Sequence, residues 1–478
     1  MHNLLLPLLI LGHVIYPASS SIQVLLTTGD KQHLLSPQPN LTWSTGQSGN
    51  ILIDTTKTYQ TIEGVGASFT DSAAYLMNKK LSTAQRTALL NDLFGKEGAN
   101  LNMIRIPLSS SDMATADFTS DDMPQGKSDP LLEKFKLSKH HTDSIPILQQ
   151  IKSIQPELSI MGTPWSAPGW MKTGNRGWWF RKGLIAGTLN DIWVEVYAKY
   201  LTKIIEAFAS YGIVLDSITL QNEPAFTPWD YAGMNLTAVQ EANLAISVGK
   251  ALQDRSLDTK ILVHDHNWDI AYRAIRVLEN ATAAQYIHGV AFHCYGGDVT
   301  AQSTVKSAYP DKEIYFTECS GTLSSGNFLS NLMWNVNNLV IGNIRNWGKT
   351  VMLWSLALDK KGNPNVGGCK NCRGVVTISN GKYTKNEEYY VLAHVARVAR
   401  MGAYRVDSTE KYQSIRSVAF LNPDNQHGLI LCNDANSAVQ VSIQEGNMIF
   451  TYTMPSFSIA SFYWTQASQL SENSHLIQ

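Results

Sequence analysis

Eight short runs rich in apolar and β-branched residues recur between residues 60 and 359, each ending in polar residues or glycine and followed by helical spacing. They read QTIEGVGASFTD (60–71), LNMIRIPLSSSD (101–112), LSIMGTPWSAP (158–168), DSITLQNEP (216–224), KILVHDHN (260–267), HGVAFHCYGG (288–297), EIYFTECSG (313–321) and KTVMLWSLALD (349–359). Continuous apolar strands are buried on both faces, and strands alternating with helices form parallel sheets. Eight such units in a row predict a (β/α)₈ barrel. An open doubly wound sheet is the alternative, but no run is followed by GxGxxG or a phosphate-binding loop.

Between the strands, apolar residues at three- and four-residue spacing predict helices over 72–94, 191–212 and 235–254, and another over 386–400 closes the barrel. Outside the barrel, residues 21–58 and about 400–466 alternate apolar and polar residues with turn signals such as Asn422-Pro423-Asp424. These read as antiparallel strands of one β-sandwich built from both chain ends. The expected organisation is therefore sandwich strands over 21–58, a catalytic barrel over 59–399, the rest of the sandwich over 400–466 and a flexible tail over 467–478. Residues 1–20 carry a short apolar core, Leu4 to Tyr16, before the small residues Ala18, Ser19 and Ser20, the pattern of a cleaved export signal. A secreted, extracellular protein is expected, without stable membrane insertion and as a monomer.

A net charge of -1 with 16% charged residues lacks the basic footprint of a nucleic-acid binder, so a neutral ligand is expected. N-x-S/T triplets at Asn40, Asn235 and Asn280 fit an exported glycoprotein. The five cysteines are too few for a disulfide scaffold. Cys369 and Cys372 have the spacing of a zinc half-site, a redox pair or a short-loop disulfide, and the disulfide suits an oxidising compartment. Cys294 and Cys319 are either free thiols or a bridge between adjacent strands, and Cys432 is left over.

In such a barrel the chemistry stands at the C-terminal ends of the strands. Run two ends near Arg105 and Asp112, run three at Trp165, run four at Asn222 and Glu223, run six at His293 and Tyr295, run seven at Glu318 and run eight at Trp354. Two glutamates thus face one mouth, which suits glycoside hydrolysis by an acid and a nucleophile. Arg105, His293 and Tyr295 are expected to keep Glu318 ionised, while Glu223, after an apolar strand and before Pro224 and Phe226, is expected to be the proton-bearing acid. Asn222 is placed to donate to a sugar 2-hydroxyl. Tryptophans 165, 178, 179, 229 and 354 offer flat faces for sugar rings or for core packing. A metal reading of His264-Asp265-His266 is two ligands short, since alternation along a strand lets only the histidines share a side. No metal or cofactor is expected.

The motifs GVGASFTDSAA, NMIRIPLSSSD, GTPWSAPGWMK, QNEP, VAFHCY, FTECSG and LWSLALDKKGNPN, in this order, resemble glycoside hydrolase family 30 over nearly the whole chain after residue 20. The resemblance implies the same barrel and sandwich and a retaining β-glycosidase, with Glu223 as acid/base, Glu318 as nucleophile, and Arg105, Asp112, Trp165, Asn222, His293, Tyr295 and Trp354 binding sugar. FTECSGT, HCYGG and GGCKNCRGVVTI look like the secreted microbial endo-β-1,6-glucanases. Leu353 stands where the glucosylceramidases carry an acidic residue. An endo-acting β-1,6-glucanase cutting a β-1,6-glucan is thus the first expectation; a glucosylceramidase is the runner-up, β-xylanase comes after it, and a saccharide-binding protein without chemistry is the reading from another class.

Overall fold

The computed structural model describes residues 21–324 and 326–465, so the segments read as an export signal and a tail lie outside the described residues. The eight runs are the eight strands of one parallel sheet: β1 Gly64–Ser68, β2 Met103–Pro107, β3 Ser159–Thr163, β4 Ser217–Thr219, β5 Lys260–Asn267, β6 Ile287–His293, β7 Glu313–Glu318 and β8 Thr350–Leu353. From β1 to β7 each strand pairs in parallel with the next, and β8 pairs with β1 through Thr350 to Leu353 against Gly64 to Ala67. Between β7 and β8 the closure is looser. There Lys349 N donates to Ile314 O at 2.9 Å and the Thr350 hydroxyl bridges Phe316 N and O, each at 2.9 Å.

Side chains repeat every second residue along a strand, and this sets the layering of the interior. Met103, Met161, Leu262, Ala291, Tyr315 and Met352 form one buried apolar layer. Two residues further along five of those strands stand Arg105, Thr163, His293, Thr317 and Trp354, all buried. A polar layer thus caps an apolar plug toward the C-terminal ends.

The predicted helix over 72–94 is two helices, Asp71–Lys79 and Thr83–Phe94. Ser82 explains the break: its hydroxyl accepts from Gln85 N while the Gln85 side chain accepts from Ser82 N, a reciprocal cap that starts a new helix. The helices Val194–Ala209, Ala238–Asp254 and Glu387–Val398 fall inside their expected windows.

The chain ends join in one 11-stranded sheet folded on itself, in which Ile22–Thr28 pairs with Ser458–Thr465 and Ile51–Thr61 pairs with Tyr404–Ser408. One ladder departs from the all-antiparallel expectation, because Val439–Glu445 runs parallel to Ile51–Thr61. Period two again divides the faces. Ala419, Leu429, Leu431 and Phe462 fill the sandwich core, whereas Val418, Phe420, Ile430 and Cys432 pack with the barrel core. Glu387–Val398, with 11 of its 12 residues buried, lies where barrel and sandwich meet. Its His394 reaches Ser461 Oγ at 2.7 Å and Thr27 Oγ1 at 2.9 Å, so one ring ties the helix to strands from both chain ends.

Burial lowers the His394 pKa from 6.5 to about 3, so the native state holds this ring neutral. The unfolded chain binds this proton more readily, so the stabilisation is complete above about pH 6.5 and is lost as pH falls toward 3. His394→Asn should therefore lower Tm at pH 7, with the gap to the parent narrowing by pH 4. A gap that stays constant with pH would remove His394 from the acid response.

Candidate active site

The residues anticipated at the strand ends converge on one cavity of about 600 Å³, lined among others by Asp112, Trp165, Asn222, Glu223, Tyr295, Glu318 and Trp354. At its floor lies Arg105, fully buried. Its guanidinium donates to Glu318 Oε2 at 2.6 Å, to Asn222 Oδ1 and Asp265 Oδ2 at 2.8 Å each, and through Nε to Thr163 Oγ1 at 3.1 Å. Trp165 and Trp354 stack on each other with centroids 5.0 Å apart, and the guanidinium carbon sits 4.9 and 5.7 Å from their ring centres.

Asp265 was not among the anticipated site residues. Both β5 residues His264 and Asp265 take positive φ, 76° and 41°, and the pairing with β6 slips between Val263 and His266. The irregularity breaks the alternation, so Asp265 rather than His264 enters the polar layer. There it accepts from Arg105, His293 Nε2 at 3.0 Å, Thr317 Oγ1 at 2.7 Å and Thr219 Oγ1 at 2.8 Å. His264 is buried, with Nε2 3.2 Å from Asn267 O, while His266 lines the cavity, so the two do not form half of a metal site. The threonines two residues beyond the apolar layer were the overlooked signal, since a hydroxyl in a barrel interior needs a partner.

A second slip, between Phe292 and His293, registers His293 with Glu318 and leaves Thr317 as the extra residue of β7. Thr317 and Glu318, though adjacent, thus both reach polar partners in the centre. Glu223 arrives by a third irregularity, a φ of 46°, with its N–H donating to Asp265 O at 3.0 Å. Tyr295 is half-exposed at its ring, but its hydroxyl turns inward to donate to Glu318 Oε1 at 2.9 Å.

The charges are tightly coupled. Burial favours neutral His293, but Glu318 and Asp265 overcome it and raise its pKa to about 10, so both ring nitrogens donate. Burial also opposes the charge of Asp265, yet Arg105 and His293 hold it well below the usual carboxylate range. Burial lifts Glu223, but the hydrogen bond and charge of His293 bring it below its ordinary value. Burial lifts Glu318 above its ordinary value, with the Glu223 and Asp265 charges adding to it against His293 and Arg105. Taken by themselves, these directions run against the expected division of the pair into acid and nucleophile. His293 Nδ1 hydrogen-bonds Glu223 at 3.1 Å and lies 3.9 Å from Glu318, whose nearer cation is Arg105 at 2.6 Å.

Asp112 is buried, and its pKa is raised to about 7 by burial and then by the charge of Glu318. Met113 N donates to it at 2.9 Å and Cys369 N at 3.5 Å, from a loop bridged by Cys369–Cys372. Gly368 in that loop has φ +64°, and a Cβ there would lie 2.7 Å from Asp112 Cβ, so only glycine allows this approach. Cys294–Cys319 links the residues that follow His293 and Glu318, and Cys432 is free and buried.

Oxygens of Glu223 and Glu318 and a nitrogen of His293 lie within 4.8 Å of one another, close enough to consider as a cation site. Their donors are otherwise engaged, by Arg105 and Tyr295 on Glu318 and by two protons on His293, so the set suits a sugar better than an ion. Of the tryptophans, 165, 229 and 354 line the cavity, whereas Trp178 lines a separate depression of about 360 Å³ and Trp179 lines neither.

A model of the Glycosyl hydrolase family 30 TIM-barrel domain matches residues 62–399, and one of the family's beta sandwich domain matches 402–462. The chain is 35% identical over 405 residues to the endo-1,6-beta-D-glucanase neg1 of Aspergillus fumigatus, covering 80% of each. It is 28% identical over 448 residues to the lysosomal acid glucosylceramidase of Mus musculus, covering 88% of this chain and 84% of that one. The solved structure of the endo-beta1,6-glucanase BT3312 matches with a TM-score of 0.86 at 30% identity, over 93% of this chain and 99% of that one.

Asp265→Asn should cost about 3–5 kcal/mol of unfolding free energy, because it leaves buried Arg105 and His293 short of a charge. Denaturant titration measures this. A variant within about 1 kcal/mol of the parent, the range of unremarkable substitutions, would contradict the buried-cluster account.

Proposed function

The chain belongs to glycosyl hydrolase family 30, and from that premise we propose that this glycosidase is a secreted endo-β-1,6-glucanase working by retaining double displacement. The observation that carries the mechanism is the spacing of the two carboxylates across one cavity. Oxygens of Glu223 and Glu318 within 4.8 Å suit direct attack, whose carboxyls stand about 5–5.5 Å apart, better than the wider gap of about 6.5–9.5 Å that an inverting water needs.

Glu318 is the nucleophile. Arg105 and Tyr295 fix both its oxygens, which aims a lone pair and offsets charge as it shifts toward the sugar. Glu223 gives a proton to the leaving oxygen as Glu318 forms the ester with the anomeric carbon. It then takes a proton from the water that cleaves this ester, freeing Glu318 and restoring its own proton. The reactive form carries the proton on Glu223 and keeps Glu318, held by Arg105 and Tyr295, as the carboxylate. Asn222 Oδ1 is held by Arg105, which leaves its amide N–H groups for the sugar 2-hydroxyl.

Similarity to the Aspergillus enzyme and to BT3312 favours β-1,6-glucan. Glucosylceramide is the second reading, favoured by the half-exposed Phe226 and exposed Trp229 at the cavity mouth, which would suit a lipid chain. Two disulfides and an exposed Asn40 in its N-x-T triplet support export and glycosylation.

Glu318→Ala should abolish turnover of an aryl β-glucoside, and retained activity would sink the assignment. Glu223→Ala should slow poor leaving groups by about 10²–10⁴-fold while sparing activated ones. Uniform loss across a leaving-group series would count against the acid role. Product analysis on β-1,6-glucan, β-1,3-glucan and glucosylceramide side by side decides the substrate; cleavage of glucosylceramide alone would replace the proposal with the second reading.

A further inference from the structure

The sequence RGWWFRKG, residues 176–183, forms the tip of a β-ribbon made by Lys172–Asn175 and Ala186–Leu189. Trp178, Trp179 and Phe180 are 38%, 82% and 40% exposed, a cluster of large apolar side chains open to solvent that folding alone would not retain. The Trp178 and Trp179 rings stand at 82° with centroids 5.2 Å apart, so they present two differently oriented faces. Trp178 is anchored by its Nε1–H to Met123 O at 2.9 Å, whereas Trp179 is free to meet a ligand.

The tip is held rigidly. Arg181 and Lys182 both take left-handed backbone, at φ 56° and 57°, a strain that persists only where the surroundings impose it. Here they do so through ion pairs, Arg181 to Asp117 and Lys182 to Asp122. Arg181 also donates to the carbonyls of Asp230 and Val366, and Gly233 N donates to Leu184 O at 3.0 Å. The aromatic tip is thus tied to the 226–233 segment, whose Phe226, Trp229 and Asp230 line the catalytic cavity.

From this we infer that Trp178, Trp179 and Phe180 form an accessory platform for the β-glucan chain beyond the sugars held in the cavity. The inference rests on the glucan-hydrolase reading and extends it, since the tip that carries these rings is bonded through Arg181 to Asp230, a residue that lines the cavity. The adjoining depression is lined by Trp170, Trp178, Lys127 and Ser128 and by no carboxylate, which fits a neutral polyhydroxylated chain. Exposed rings gain by covering the apolar face of a pyranose.

Trp179→Ala removes a ring whose exposure makes it dispensable for folding, and Trp178→Ala/Trp179→Ala removes both indoles. The ratio of kcat/KM on soluble β-1,6-glucan to that on an aryl β-glucoside should fall about tenfold in the double variant and severalfold in Trp179→Ala, with the change in KM. In affinity electrophoresis the Glu318→Gln protein should be retarded by β-1,6-glucan, and less so when it also carries Trp179→Ala. A parent that degrades the glucan alongside variants with unchanged ratio and retardation overturns the platform alone. A parent that degrades no glucan overturns the functional reading and the platform with it. A Trp179→Ala effect confined to glucosylceramide in phosphatidylcholine vesicles also overturns the platform, marking the patch as a lipid contact.

Discussion

Burial of the Arg105 guanidinium at the centre of the barrel is the constraint on which the rest of the site depends. A cation removed from water is tolerated only when its donors are met by carboxylates in good geometry. Asp265 and Glu318 do this, and Asn222 and Thr163 take further donors. The same Asp265 carboxylate holds His293, which in turn reaches Glu223. Glu318, Asn222, Asp265, His293 and Glu223 are therefore linked in one network that begins at a single side chain, with the Trp165 and Trp354 rings against its guanidinium. Such a network can be preorganised for charge developing on a bound sugar, because its dipoles are fixed before the substrate arrives.

The surrounding architecture keeps that network still. Layering in the barrel separates an apolar plug from the polar floor, so the charges face only the cavity. The sandwich, built from both chain ends, is joined to the last barrel helix through His394 and through the outward faces of its own strands. At the mouth, a disulfide-bridged loop presses Gly368 against Asp112, while another disulfide joins the strands that carry His293 and Glu318. Recognition can then be placed on loops, where sequence is free to vary without disturbing the chemistry.

Much of this was legible along the chain. The two-residue period of the strands and the spacing of the helices marked the barrel, and the strand ends marked Arg105, Asn222, Glu223, His293, Tyr295 and Glu318 as neighbours. Asp265 was hidden because the period-two rule fails at the positive φ values of His264 and Asp265. Trp165 and Trp354 were marked by their strand ends, whereas nothing local told whether Trp178 and Trp179 join them in the cavity. Their separation between an exposed tip and a stacked floor arises from contacts far apart in the chain.

The sequence by itself determined the order of elements, the sandwich drawn from both termini and the pair of carboxylates, because periodicity and strand-end position are local properties. Only the tertiary structure decided which carboxylate the imidazolium of His293 approaches more closely. That choice depends on a difference between 3.1 and 3.9 Å created by irregular strand ends. Coulomb energy varies steeply at such distances inside a protein, and linear order carries no measure of them.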